Sequence, residues 1–422
     1  RLLKFVFPSI IMMVFTSVYG VVDGLFVSNY VGKTAFATIN LIMPMDMIFG
    51  GVGFMLGTGG SALVAKTLGE QDTDRANRYF SMIIWVTVIV GAVLSVIGIA
   101  VIRPVSILLG ADEGMLPDCV LYGSIMMGFT ITFMFQNAFQ AFLITAERPN
   151  LGLAATIAAG ISNMVLDALF FAVFDWGVAG AAVATGLSQC VGGVIPLIYF
   201  LRPNTSLLRL KRTKLEIRPI INACANGASE MVSSVTSSVV GILYNLQLLQ
   251  YAGENGVASY GVLMYVQFVF AAIFLGYSMG SAPIISYHYG AEKHGELKNL
   301  FQKSVVLMGT IGGGMVVAAQ LFAVPLSRLF VGYDATLFEM TVHAIRIAGV
   351  SFLIMGFNIF ASAFFTALNN GGVSAVISFL RTFVFKLAAV LLLPLLLGLE
   401  GIWWAEVTAE ISAFVLSLIF LF

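Results

Sequence analysis

The sequence predicts an all-α membrane protein in which twelve transmembrane helices form two six-helix bundles of parallel topology. Three observations lead to this fold class: an apolar composition, twelve long apolar runs and an internal repeat. Of the 422 residues, 59% are hydrophobic and 10% are charged, whereas soluble domains have about 45–50% and about 25%. Because no soluble core could bury this excess, much of the chain is expected to face lipid.

The apolar runs follow one another along the whole chain, separated by short polar breaks or breaks that contain Gly and Pro. A helix that crosses a bilayer needs about 20 mostly apolar residues. The predicted spans are 5–29, 37–66, 78–103, 119–146, 150–174, 177–201, 220–251, 257–289, 299–326, 340–368, 371–397 and 400–422. Strands of a membrane barrel alternate over about ten residues, so these longer, continuous runs indicate helices.

The Lys and Arg residues predict the orientation of the spans. With the N-terminus inside, fifteen of them fall in inside segments and four in outside segments, as the positive-inside rule requires. We therefore expect a multi-pass protein of the bacterial or archaeal cytoplasmic (inner) membrane with both termini cytoplasmic. The net charge of +0 offers no basic surplus for phosphates. The expected partners are thus the lipid bilayer and small molecules, without nucleic acid, and a monomer is expected.

The internal repeat has one constant offset of 221 residues along the chain. It pairs residues of the same kind, such as Pro104 with Pro325, Asn137 with Asn358, Thr145 with Thr366 and Gly177 with Gly398. The predicted domains are an N-terminal bundle at 1–201, a basic cytoplasmic linker at 202–219 and a C-terminal bundle at 220–422. Two such bundles around a cleft favour a transporter that works by alternating access over an enzyme or a receptor.

Polar side chains within the spans of the first half mark a candidate ion site. Asp23 lies late in the first span, and Asn163 and Asp167 share a face of the fifth span because they are four residues apart. Thr185 follows in the sixth span. Two carboxylates, an amide and a hydroxyl form an all-oxygen set that suits a hard cation such as Na⁺. A close pair of carboxylates would equally suit a shared proton.

Structural interpretations stay open for three of these four residues. Asn163 could bond a neighbouring helix, Thr185 could bond a carbonyl of its own helix, and Asp167 could lie in water near the outer end of its span. The repeat argues for a special role, because neither carboxylate has an acidic counterpart 221 residues later. An ionisable group at membrane depth is also a functional hypothesis by default, since burying its charge is costly.

Two weaker groups of residues complete the candidate sites. Polar side chains in other spans could line a substrate cavity: Asp46, Asn137, Gln140, Glu230 and Tyr244. In the second half, Lys386 is expected to pair with Glu406 or Glu410 on the neighbouring twelfth span, because an unpaired buried charge is costly.

No cofactor is expected apart from a coupling ion, H⁺ or Na⁺. The cysteines Cys119, Cys190 and Cys224 lie far apart in apolar stretches, and the three histidines show no ligand spacing such as HExxH. These patterns disfavour a catalytic metal centre, so the chain is predicted not to be an enzyme.

Several motifs resemble the multidrug and toxic compound extrusion (MATE) family over essentially the whole chain. They are Phe7-Pro8-Ser9, Val22-Asp23-Gly24, and Asn163 followed by Asp167 and Thr185. They are most similar to the DinF-like branch, which includes MepA-like bacterial exporters. The resemblance implies a V-shaped pseudo-two-fold fold and a cation site in the first half at Asp23, Asn163, Asp167 and Thr185. It also implies export of cationic and amphiphilic molecules in exchange for Na⁺ or H⁺.

The chain departs from the sister branch similar to NorM, which relies more on carboxylates of the second half. Its 340–368 span has no carboxylate except Glu339 at the edge. The alternative function is a lipid-linked oligosaccharide flippase of the same superfamily, which would need several cations for pyrophosphate. Only Arg381 and Lys386 are intramembrane cations, so this alternative is disfavoured. A membrane-embedded lipid enzyme is the remaining, weakest alternative.

Overall fold

The computed structural model describes residues 2–30 and 33–421, and helices make up almost all of this part of the chain. Residues 1, 31, 32 and 422, which the predicted bundles include, lie outside the described residues. Side chains are also described, except at positions 3, 5, 24–30, 33, 34, 36, 37, 40 and 254.

The first half of the chain forms seven helices. They are α1 (Leu2–Tyr30), α2 (Lys33–Gly69), α3 (Thr73–Leu108), α4 (Leu116–Gly128), α5 (Thr130–Thr145), α6 (Pro149–Ala172) and α7 (Gly177–Leu201). Local signals set their ends: the Asp72 side chain accepts a hydrogen bond from the Arg75 amide at the start of α3, and Pro149 opens α6, where a missing N–H costs nothing.

The second half begins after a segment without helix that ends at Glu216. Its helices are α8 (Ile217–Gly290), α9 (His294–Val331), α10 (Ala335–Gly349), α11 (Phe352–Ala367), α12 (Gly371–Phe379), α13 (Lys386–Leu397) and α14 (Leu399–Leu421), with a π-helical turn (Leu380–Phe385) between α12 and α13. The long α8 contains two spans because Gly253 interrupts it with φ 63° and ψ −151°, a backbone conformation that glycine adopts far more readily than other residues.

The predicted fold class is confirmed, with twelve spans in the described part of the chain. Ten stretches are long and apolar enough to cross a bilayer singly. Two further spans are bent pairs: α4 with α5 at 53° and α10 with α11 at 50°. The sequence predicted the spans 119–146 and 340–368 as unbroken helices, and in both the structure shows a bend instead.

The two bends also support the predicted repeat. The C-cap residues that follow α4 and α10 are Phe129 and Val350, which are 221 positions apart. Gly177 and Gly398, separated by the same offset, have positive φ angles of 57° and 61°. Equal irregularities at one offset are expected of two copies of one bundle, so we retain the division into two bundles as a proposal.

Helix α8 of the second half packs along both α1 and α2 of the first half. At the end of α2, Gly69 lies against the backbone of Tyr287 and Ala291, and Gly290 lies against the backbone of Lys66. A Cβ at either glycine would overlap the facing backbone. The halves therefore meet backbone to backbone at the end of the molecule that is predicted to be cytoplasmic.

Candidate functional site

The structure brings two predicted carboxylates together in the first half. Asp23 lies on α1 and Asp167 on α6, and these helices pack closely because Gly160 of α6 lies against the rings of Phe15 and Tyr19. The carboxyl groups of Asp23 and Asp167 face and interact with each other. Asp167 is 0% exposed, so the alternative that it lies in water does not fit the structure.

Within the described part of the chain, the two carboxylates lack basic partners and most of the hydrogen bonds that normally stabilise a carboxylate away from water. Among the described residues, neither oxygen of Asp167 has a hydrogen-bond partner within normal geometry, and the same holds for Oδ1 of Asp23. No Lys or Arg of the described chain is among the groups that act on this pair. A buried charge is normally paired or hydrogen-bonded, so the pair is suited to take up a proton or a metal cation.

Of the other two predicted residues, Asn163 lies on the same helix as Asp167, and Thr185 lies on the neighbouring helix α7. Asn163 is buried one turn before Asp167, and its Nδ2 has no partner among the described residues. Thr185 is half-buried on α7, which packs against α6. The described residues include no group of three or more His, Cys, Asp or Glu that could hold a metal ion. A cation bound at the carboxylates would therefore take amide or hydroxyl oxygens as its other protein ligands.

Two tyrosines and a glutamine also belong to this pocket, although sequence reasoning did not identify them. The Tyr19 side chain hydrogen-bonds with Gln136 and lies near Asp23. Tyr122 is buried near Asp23, Asp167 and Asp46. The spacing of Tyr19 and Asp23, one turn apart on α1, could have identified the first tyrosine. Tyr122 and Gln136 come from other helices, and no pattern in the sequence indicated them.

The residues predicted for a substrate cavity fall into two groups in the structure. Asn137 and Gln140 are buried on α5, where Asn137 Nδ2 donates to the Gly50 carbonyl of α2 at 3.3 Å. Asp46 on α2 and Glu230 on α8 are half-buried, and these helices face each other, with Met47 Sδ 3.9 Å from Ser238 Oγ. Asp46 and Glu230 thus lie on two helices, α2 and α8, that pack against each other between the halves.

Tyr244, the fifth residue of that set, is buried within the second half. Its ring stacks on Tyr260 with centroids 4.9 Å apart. Its hydroxyl has no hydrogen-bond partner among the described residues, and Glu406 is the nearest carboxylate that acts on it. Tyr244 therefore belongs to the charged cluster of the second half.

That charged cluster consists of two ion pairs. Lys386 Nζ lies 2.8 Å from Glu406 Oε1, and Arg381 Nη2 lies 2.8 Å from Glu410 Oε1. Arg381 Nε also donates to both Glu410 oxygens at 3.0 and 3.1 Å, and Asn358 Nδ2 donates to Glu410 Oε2 at 2.7 Å. The two basic residues inside the second-half spans are thus each paired with a carboxylate, whereas no Lys or Arg of the described residues acts on the carboxylate pair of the first half.

The chain is similar to named relatives and to solved structures. The chain is 25% identical over 416 residues to the multidrug export protein MepA of Staphylococcus saprophyticus, covering 97% of this chain and 90% of that protein. It is 23% identical over 414 residues to MepA of Staphylococcus aureus strain MRSA252, with the same coverage.

Two solved structures show the same fold. One is the outward-facing conformation of a multidrug resistance MATE family transporter of the MOP superfamily, with a TM-score of 0.94, 21% identity, and 99% and 94% of the two chains covered. The other is a MOP superfamily transporter from Pyrococcus furiosus, with a TM-score of 0.92, 21% identity and the same coverage.

This helical membrane fold, together with the relatives named multidrug export protein MepA, identifies the chain as a membrane transporter rather than an enzyme. The family model MatE matches residues 8–169 and, a second time, residues 231–391. The chain belongs to the MatE family, and the resemblance predicted from the sequence motifs is confirmed.

Proposed function

We propose that the chain is a secondary active multidrug exporter that exchanges small cationic or amphiphilic molecules for H⁺ or Na⁺. The observation that carries the proposal is the Asp23–Asp167 pair, in which Asp167 is fully buried and on which no Lys or Arg of the described residues acts. The relatives named multidrug export protein MepA, which this chain matches over 90% of their length, support the same class of substrate.

The coupling mechanism follows from the charge of the pair. Empty carboxylates carry negative charge into the membrane, and a bound proton or Na⁺, held by Asp23 and Asp167 with Asn163 and Thr185, neutralises part of it. The empty and filled states then differ by a full charge, which can bias helix packing between two arrangements. A cationic substrate that competes for this charge would be coupled to the ion by about 1–3 kcal/mol.

The flippase alternative receives no support from the second half. A pyrophosphate-binding cavity would need free cations, but Arg381 and Lys386 are each held by a carboxylate. We therefore keep drug export as the proposed function, with no cofactor beyond the coupling ion.

The test is uptake of a cationic dye such as ethidium by everted membrane vesicles that contain the chain. A pH gradient with an acidic lumen and a Na⁺ gradient with a Na⁺-loaded lumen are imposed separately. We expect dye to accumulate in the lumen under at least one gradient, and the effective gradient identifies the coupling ion. Vesicles without the protein serve as the control, and equal dye levels in both under both gradients would contradict the proposal.

The proposed location is a bacterial or archaeal cytoplasmic membrane with both termini cytoplasmic, as the distribution of basic residues predicts. Leu215→Cys is introduced after Cys119, Cys190 and Cys224 have been replaced by serine. We expect an impermeant maleimide to label this position in everted vesicles but not in intact cells. Glu113→Cys, in the exposed segment between α3 and α4, should show the opposite pattern. Labelling of Leu215→Cys in intact cells would reverse the orientation.

A further inference from the structure

A cavity of about 740 Å³ opens where α1 begins, α6 begins and α7 ends. Lys4 of α1, Arg148 before α6 and Arg202 after α7 line it, together with the carboxylate of Glu147. Three cations against one anion leave the cavity net positive. It lies at the end of the molecule predicted to be cytoplasmic, far along α1 and α6 from the Asp23–Asp167 pair.

One wall of the cavity is fixed by hydrogen bonds. Arg148 Nη2 donates to Thr205 Oγ1 at 2.6 Å, which ties the start of α6 to the segment after α7. Asn204 Nδ2 donates to the carbonyls of Tyr199 and Arg202 at 3.2 and 3.0 Å, which folds that segment back onto the end of α7. The positions of two of the three cationic residues therefore follow from the local fold rather than from chance exposure.

The start of α6 adds to the positive character of the cavity. Arg148 occupies the N-cap position and makes no side-chain capping bond there. The positive end of the helix dipole thus faces the same space as the three cations. A helix N-terminus flanked by Arg and Lys favours a phosphate group, which accepts hydrogen bonds from both.

The remaining wall is apolar. Leu151 of α6 and Ile195 and Ile198 of α7 line the cavity, and the two isoleucines are exposed on a face of α7 that also exposes Val194 and Leu187. A free phosphate would use only the basic wall, whereas an anionic lipid would use both walls.

We propose that this cavity binds the phosphate headgroup of an anionic phospholipid, with its acyl chains along the exposed face of α7. Lys4, Arg148 and Arg202 contact the phosphate, and Ile195 and Ile198 contact the first carbons of the chains. The lipid would bridge α1, α6 and α7, which all meet at this cavity.

The test is native mass spectrometry of the purified full chain after incubation with palmitoyl-oleoyl phosphatidylglycerol or phosphatidylcholine. We expect the wild type to retain phosphatidylglycerol in preference to phosphatidylcholine. The triple variant Lys4→Gln, Arg148→Gln and Arg202→Gln should lose at least about tenfold in phosphatidylglycerol affinity, because each cation near an anionic headgroup contributes substantially to binding. Its matched control, Arg212→Gln, Lys214→Gln and Arg218→Gln, removes three exposed charges outside the cavity and should stay within about twofold of wild type.

Single variants keep the test decisive if the triple variant does not fold. Arg202→Gln should weaken phosphatidylglycerol binding about fivefold, and Arg202→Lys should largely restore it because the charge returns. Equal losses in the cavity and control triples, or equal losses in Arg202→Gln and Arg202→Lys, would overturn the proposal. So would displacement of the lipid by millimolar inorganic phosphate, since that result would make the ligand a free phosphate.

Discussion

Asp167→Asn is expected to abolish gradient-driven dye efflux while the protein remains folded in the membrane. Asp167 is 0% exposed, faces Asp23 and has no hydrogen-bond partner among the described residues. The substitution keeps the size of the side chain and removes the charge that would hold the cation. Because it also removes an uncompensated buried charge, the stability of the protein should not fall.

The expected size of the effect follows from the coupling. Without a bound ion the gradient cannot drive the exchange, so dye should equilibrate across the vesicle membrane and its concentration ratio should fall to that of vesicles without the protein. Asp23→Asn should behave in the same way. Thr185→Ala should reduce transport less, since a hydroxyl is a weaker ligand than a carboxylate and Thr185 is half-buried on the neighbouring helix.

Asp175→Asn is the matched control, since it makes the same chemical change at an exposed position just after α6. It should leave dye efflux at the wild-type rate. The measurement is dye uptake by everted vesicles at equal protein amounts, confirmed by size-exclusion profiles of each purified variant. Wild-type transport by Asp167→Asn would move the coupling site away from the first half, and Glu406 would become the next candidate.

The spans and the first-half carboxylates could be predicted because each rests on a local property of the sequence. A continuous run of about 20 apolar residues is stable in a bilayer as a transmembrane helix. A carboxylate within such a run, such as Asp23, is easily recognised in the sequence. The bend at Phe129 could not be predicted, because the residues on both sides of it are equally apolar. The hydrophobicity of a segment predicts that it lies in the membrane, but it does not predict where the helix axis bends.

The charged cluster of the second half shows a different limit. The sequence predicted that Lys386 pairs with Glu406 or Glu410, and the structure places it beside Glu406. The sequence did not indicate that Arg381 binds Glu410. Arg381 lies within a π-helical turn and Lys386 directly follows it, and the extra residue of such a turn changes the helix face that each side chain occupies. Spacing rules for a regular α-helix therefore could not assign the two partners.

Tyr122 and Gln136 illustrate why part of the candidate site could not be predicted. A tyrosine or glutamine within an apolar helix has many uses in packing, and only the tertiary fold places Tyr122 near the carboxylates and Gln136 beside Tyr19. Their contribution depends on tertiary packing between helices that are distant in sequence. The structure thus extends the predicted set of four residues into a polar pocket with two tyrosines and a glutamine.

Arg381→Met is expected to be the most destabilising single substitution among the charged residues of the spans. Glu410 is 0% exposed and receives three hydrogen bonds from Arg381 within 3.1 Å. Without Arg381, Asn358 is the one side chain of the described residues that still donates to this carboxylate. Breaking a buried ion pair from one side costs about 3–5 kcal/mol, because it leaves the other charge buried and uncompensated.

This loss of stability is measured as the fraction of protein that remains monodisperse after heating, as determined by size-exclusion chromatography. We expect Arg381→Met to lower the temperature at which half of the monodisperse protein is lost. The double variant Arg381→Met, Glu410→Met should recover most of this decrease, because removing both charges can be nearly neutral. Lys386→Met is the matched control. Its partner Glu406 has a side chain 11% exposed, against 0% for Glu410, so water can solvate the remaining charge and the loss should be smaller. Equal losses for Arg381→Met and Lys386→Met, or a double variant no more stable than Arg381→Met alone, would show that the Arg381–Glu410 pair does not hold the second half together.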